Sequence, residues 1–204
     1  MRAGTCAAGP ERRIDLQQGA SQLNGIVIRE ATSGDIPAVL KIYAQPTLDG
    51  DEWMRPDQAV QALQDFGRYP FYKIFVAEKD RQIVGTFTLL IMHNIAHMGR
   101  PSGLVEAVAV SPSLQRRGVG RAMLQFALEQ CRAKGCYKMA LSAAGQRRQA
   151  HAFYEALGFE KHGYSFVVPC SEAARSEGAA DIVPDPRAGS SAEPMAAAAA
   201  FTLE

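Results

Sequence analysis

The stretch Gln115-Arg116-Arg117-Gly118-Val119-Gly120 sets two glycines and two arginines between strand-forming residues, "GLVEAVAV" (103–110), and a run in which Val119, Ala122, Met123, Phe126, Ala127 and Cys131 recur at helical spacing. A helix N-terminus presents unpaired backbone N–H groups and the positive end of the helix dipole, and glycines let the preceding turn bring more N–H groups close to one anion. The chemistry this spacing suits is phosphate binding. A P-loop would need Lys-Ser/Thr directly after its second glycine, and a dinucleotide fingerprint would need a third glycine where this chain has Met123. Both nucleotide motifs are therefore poor matches. Glu106, inside the strand-forming run, shares a face with Leu104, Val108 and Val110 if the strand is regular, which sets a carboxylate among apolar neighbours.

The elements that hold these residues follow from hydrophobic periodicity. "GIVIRE" reads as a strand, and "SGDIPAVLKIYAQ" as a helix opened by Ser33 with Pro37 in its first turn. A second helix is expected around 56–66, and "FYKIFVAEKDRQIVGTFTLLIM" reads as a hairpin turning at Lys79-Asp80-Arg81. The run 103–110 is a further strand, followed by a helix from Gly118 to Lys134-Gly135, a strand in "CYKMALSA", a helix in "QRRQAHAFYEAL" and a last strand in "GYSFVV". The order is mixed α and β, with antiparallel hairpins ahead of a βαβα unit.

Composition sets the frame. The 204 residues suit one domain of ordinary size, and 47% hydrophobic with 21% charged residues is usual for a globular chain. A formal charge of +1, from 22 Lys+Arg and 21 Asp+Glu, gives no global field toward nucleic acid or anionic membrane, so neither is an expected partner. Residues 1–24 lack periodicity and read as a mobile leader, 25–169 as the folded domain, and 170–204 as a disordered Ala/Ser/Pro/Gly-rich tail with six acidic residues against two basic. No apolar run reaches the length of a membrane span, no secretory signal is visible, and the four cysteines form no framework, so the expected setting is cytoplasmic.

Gln115, Gly118 and Gly120 match the Gln/Arg-x-x-Gly-x-Gly/Ala signature with which the GNAT superfamily of N-acetyltransferases binds acyl-CoA, and the chain resembles that family over roughly residues 25–168. The opening "IREATSGDIPAVLKIY", the hairpin, the strand leading into the signature and the later "AHAFYEALGF" recur in family order. The resemblance implies an α/β (α+β) GNAT fold, a central, mostly antiparallel mixed sheet splayed at the acyl-CoA site and flanked by helices. It also implies acetyl-CoA as cosubstrate and no metal. Val108, Ala109 and Val110 would pair with the pantetheine amides as a partner strand does, and the pyrophosphate would lie on the N–H groups of Arg116, Arg117, Gly118, Val119, Gly120 and Arg121. The three arginine side chains read equally as phosphate ligands or as a solvated basic face.

Acetyl transfer to an amine needs a base, because an alkylammonium of pKa ~10 is almost wholly protonated at neutral pH. Glu106 is the candidate, since desolvation on its strand would raise its carboxyl toward neutrality. Tyr154 matches the family tyrosine that protonates the departing CoA thiolate, and the N–H of Val108 would meet the carbonyl oxygen. Ser142 is a second candidate acid. Where many family members carry Asn seven residues before the tyrosine, this chain has Arg147, which could approach cofactor or acceptor or face solvent.

The acceptor pocket implied by the family lies between "TLDGDEWMRP", with Asp49, Asp51, Glu52 and Trp53, and "MHNIAHMGRPSG". The wording resembles members acting on small metabolites such as amino-sugar phosphates and aminoalkylphosphonates, so a small-molecule primary amine is the expected acceptor. A protein or peptide N-acetyltransferase and a non-catalytic acyl-CoA-binding regulatory module remain as alternatives. Dimers are frequent in the family, which leaves a homodimer open. His93 and His97 have zinc-like spacing only on a helix, whereas they trail a strand; Cys131 and Cys136 read as small core thiols.

Overall fold

The computed structural model describes residues 21–23, 25–45, 54–168 and 170. The leader before Ser21, the acidic segment 46–53 and the tail from 171 lie outside the described residues. A six-stranded sheet runs in chain order: β1 (Ser21–Leu23), β2 (Ile26–Glu30), β3 (Tyr72–Lys79), β4 (Gln82–Met92), β5 (Ser102–Val110) and β6 (Lys138–Leu141). Every neighbouring pair is antiparallel except β5 and β6, which are parallel. β1 takes the sheet into the stretch that sequence assigned to the leader. The hairpin turns at Asp80 and Arg81, whose φ angles of 49° and 61° give the mirror-image turn that matches strand twist.

The parallel step requires a crossover, and α3 (Val119–Ala133) supplies it. Val119, Ala122, Met123, Phe126 and Ala127 form its buried stripe, laid on Phe75, Phe87, Leu89 and Val105 of the sheet. Phe75 stacks on Phe87 at 5.3 Å and meets Phe126 edge-on at 5.1 Å. Two glycines let this helix come close: a Cβ on Gly85 would collide with Met123, and one on Gly103 with the sulfur of Cys131. That sulfur is buried, and burial together with the neighbouring Cys136 pushes its thiol up to about 12.

On the opposite sheet face α1 (Ile36–Tyr43) and α2 (Pro56–Phe66) cover Ile74 and Val76. The chain enters α1 through a 3-10 turn, Ser33–Asp35, in place of the expected start at Ser33. The reason is Asp35, whose carboxylate accepts from the Thr32 N–H and hydroxyl at 2.8 Å each and from Arg29 at 2.7 and 2.8 Å. Arg29 also donates to Glu78 at 3.0 Å, tying β2, the helix start and β3 together. α4 (Arg148–Glu155) returns to the α3 side of the sheet, where Phe153, Tyr154 and Phe159 pack on the main core.

From His162 onward the chain is a separate unit, and its described residues contain no strand. The expected strand in 163–168 is therefore corrected. Tyr164, Phe166 and Val167 are β-formers by type, but a strand exists only through a ladder with a partner, and these side chains are exposed.

Arg29 holds Asp35 well below the ordinary carboxylate value of 3.8, against the opposing effect of burial and with help from Thr32. A depressed carboxylate supplies stability above its unfolded pKa and loses it as pH falls through its folded one. Asp35→Asn is expected to lower stability by about 2 kcal/mol at neutral pH, with the deficit against wild type shrinking in acid. Urea unfolding of both proteins across pH measures it.

Candidate acyl-CoA site

β5 and β6 pair from Ser102↔Lys138 to Val105↔Leu141 and then part, because β6 ends while β5 continues to Val110. Residues 106–110 thus keep β4 on one side and, among the described residues, have no strand on the other. Their backbone groups on that side need a partner, and an extended chain carrying amides can supply one.

A bulge adds to the opening. Thr88 pairs with Glu106 and Thr86 with Ala109, so β5 spends one extra residue, and Ala107 takes it up at φ 49°. A left-handed alanine costs about 1–2 kcal/mol, the kind of strain that clusters at functional sites. It also inverts the alternation of side chains. Val108 and Val110 turn onto the α3 core, while Glu106 stays on the other face with Leu104 and Ala109. The expectation that Glu106 shares a face with Val108 and Val110 is therefore corrected; Glu106 is exposed where the strands part, not enclosed by apolar neighbours.

Beyond Val110 the chain makes a 3-10 turn, Pro112–Leu114, and reaches the glycines. Arg116 at φ 59° and Gly118 at φ 86° are both left-handed, and Gly118 sits at the N-cap of α3. The first helical bond runs from the Ala122 N–H to the Gly118 carbonyl at 3.0 Å, so the N–H groups of Val119, Gly120 and Arg121 have no acceptor within the helix. Gln115 donates to the Val110 carbonyl at 3.3 Å, as does Gln45 from the end of α1, a residue that sequence did not single out. Arg117 and Arg121 are exposed without an ion pair among the described residues, and Arg116 donates to Gln149 of α4 at 3.3 Å.

Gly120 serves a different purpose from Gly118. A Cβ there would stand 3.1 Å from the ring of Phe153, so the absent side chain lets α4 seat against the start of α3. Tyr154, the next residue, meets Phe153 at 5.4 Å and Phe159 at 5.8 Å between ring centres. Burial raises its phenol above the ordinary 10.0, and the nearby Arg147 charge opposes that shift. Ser142 is exposed one residue past β6.

On Glu106's face stands a residue the sequence did not reveal. Tyr72 is raised by burial and by the Glu106 carboxylate, with a hydrogen bond to Thr88 acting the other way, and it stacks on Phe66 at 4.0 Å. The registers Tyr72↔Leu90 and Leu90↔Leu104 bring it there, and register is not written in composition. His97 stacks on Tyr137 at 4.0 Å, and among the described residues no three His, Cys, Asp or Glu gather as a metal site. Asp49, Asp51, Glu52 and Trp53 lie outside the described residues.

A mixed sheet that parts beside a glycine-rich helix start, with a tyrosine helix seated on the second glycine, defines the class of acyl-CoA-dependent transferases. Residues 36–159 match the acetyltransferase (GNAT) family model, and the chain belongs to that family, whose members take the acetyl group from acetyl-CoA. It is 37% identical over 90 residues to the glucosamine 6-phosphate N-acetyltransferase of Trypanosoma brucei brucei, covering 44% of this chain and 59% of that one. The match therefore spans less than two thirds of that relative. Over 136 residues it is 29% identical to the aminoglycoside N(6')-acetyltransferase type 1 of Stenotrophomonas maltophilia, covering 66% of this chain and 86% of that relative. A crystal structure of a Trypanosoma brucei acetyltransferase superposes with a TM-score of 0.61 at 26% identity, covering 71% of this chain and 99% of that one.

Because burial outweighs Arg147, Tyr154 is expected to stay a neutral phenol past the ordinary tyrosine range. The difference in phenolate absorbance between wild type and Tyr154→Phe, followed from neutral to strongly alkaline pH, should titrate above 10.0. A midpoint below that value would mean that the arginine prevails.

Proposed function

We propose that this protein moves the acetyl group of acetyl-CoA to the primary amine of a small metabolite. The observation that carries the reading is the packing of Phe153 on Gly120, which seats the helix of Tyr154 against the start of α3, whose first N–H groups have no acceptor within the helix. In this reading acetyl-CoA supplies an activated thioester. The main chain at Val108, Ala109 and Val110 aligns it, with the Val108 N–H toward the carbonyl oxygen. The N–H groups from Arg116 through Arg121 take the pyrophosphate, with the arginine side chains at the rim.

Glu106 removes a proton from the acceptor ammonium, directly or through water, so that the neutral amine can attack. A C–N bond forms, the C–S bond breaks, and Tyr154 gives its proton to the sulfur. A phenol kept neutral by burial suits that step, since an acid must arrive protonated. Two curated relatives named for glucosamine 6-phosphate and aminoglycosides support an amino-sugar type of acceptor.

Acetyl-CoA-dependent thiol release by the full chain, measured over amino sugars, other primary amines and peptides, tests the reading. Tyr154→Phe should lower kcat by about 100-fold while leaving the affinity for acetyl-CoA within a factor of two or so. Glu106→Gln should lower the rate most where the acceptor amine is protonated and least once pH passes that amine's own pKa, where free amine no longer needs a base. Acetyl-CoA binding without turnover on any acceptor would overturn the enzyme in favour of a CoA-sensing module. Unchanged rates in both variants would remove the two roles.

A further inference from the structure

The face of the sheet that carries Glu106 continues, at its far end, into an open cleft of about 460 Å³. Met92, Asn94, His97, Ser102, Tyr137 and Lys138 line it. The registers Met92↔Ser102↔Lys138 and Leu90↔Leu104↔Ala140 are the two rows of side chains next after Thr88↔Glu106, so the cleft and the carboxylate share one surface. At about 3.3 Å per residue, its rows stand about 7 and 13 Å from Glu106 along β5.

Basic groups converge on the Tyr137 ring at this end. His97 stacks on it at 4.0 Å, the Lys138 ammonium lies 5.4 Å from its centre, and the Arg100 guanidinium 5.9 Å. Arg100 uses only its Nε, on the His97 carbonyl at 3.3 Å, which leaves its planar fork free. Neither Arg100 nor Lys138 has an ion pair among the described residues, and no Asp or Glu occurs in 91–104 or 131–141. The loop that presents them is strained: His97, Met98 and Gly99 are left-handed in succession, at φ 55°, 62° and 74°. Two consecutive non-glycine residues in that region are unfavourable, and such strain persists where a site needs a particular geometry.

We propose that this cleft is an anion subsite of the acceptor, in which Lys138 and His97 from its wall, and Arg100 reaching in from beside the Tyr137 ring, hold a phosphate group while the amine reaches Glu106. Only the reach of the amine to Glu106 rests on the acetyltransferase reading. A guanidinium fork, an ammonium and an imidazole offer more donors than the two oxygens of a carboxylate use, and phosphate has three. The span from the cleft to Glu106 suits an acceptor whose amine and phosphate are separated by a body the size of one sugar.

Calorimetry on the full chain with glucosamine 6-phosphate and with glucosamine as probes tests the subsite without requiring turnover. The phosphorylated probe should bind at least tenfold more tightly, and Arg100→Ala and Lys138→Ala should each remove most of that preference while leaving acetyl-CoA affinity unchanged. Where transfer is measurable, the same variants should raise KM for the phosphorylated amine at least tenfold with kcat retained. Equal binding of the two probes, no binding of either, or a preference that survives both substitutions would overturn the proposal. A preference that disappears in the variants without any acetyl transfer would sustain the subsite and remove the enzymatic reading; transfer to amines with no preference for phosphate would do the reverse.

Discussion

The structure turns on how far β5 is paired. Over Ser102–Val105 it has a neighbour on each side, and from Glu106 to Val110 it has one. Parallel pairing with β6 can extend no further than Leu141, where that strand ends, yet β4 holds β5 in extended form for five more residues. On the open side the Val110 carbonyl accepts from Gln45 and Gln115, and the other backbone groups there are left to water or to an incoming partner. The bulge at Ala107 belongs to the same constraint, since it turns the valines that follow into the core and leaves the carboxylate before it facing out. One irregularity thus separates the open backbone edge proposed for the cofactor chain from the carboxylate proposed as the base.

Much of this arrangement was legible in the sequence. Spacing gave the helix from Val119, the hairpin and the crossover, and the two glycines stood where a phosphate cradle needs them. Their separate reasons were not legible. Gly118 answers to its own backbone angle, whereas Gly120 answers to Phe153 more than thirty residues away, and only tertiary packing distinguishes the two. The Ala107 bulge had no local sign, because alanine is not a residue that announces a left-handed turn. Without it, strict alternation put Val108 and Val110 on the face of Glu106 instead of on the α3 core. Tyr72 was invisible for a related reason, since its nearness to Glu106 is set by two registers and by nothing in its neighbours. The error at 163–168 came from reading strand propensity where no ladder exists to receive it.

The two sheet faces also divide labour. The α3 face is a dry core built on aromatic contacts and on glycines that admit sulfur atoms at close range. The other face carries Glu106, Tyr72 and the basic cleft at its far end, and α1 and α2 cover only part of it. The Arg29–Asp35–Glu78 network fixes the start of α1 to β2 and β3, and Gln45 fixes its end to β5. A helix tied at both ends gives the Glu106 face a rigid border.

The tight seat of Cys131 over Gly103 has a practical side. Its thiol is shut away and held protonated by its surroundings, so the native protein offers alkylating or oxidising reagents almost no thiolate at this position. Cys170, by contrast, is exposed. The chain therefore carries an internal clock beside a control: the exposed sulfur is modified at the pace of the reagent, and the buried one only when α3 lifts from the sheet.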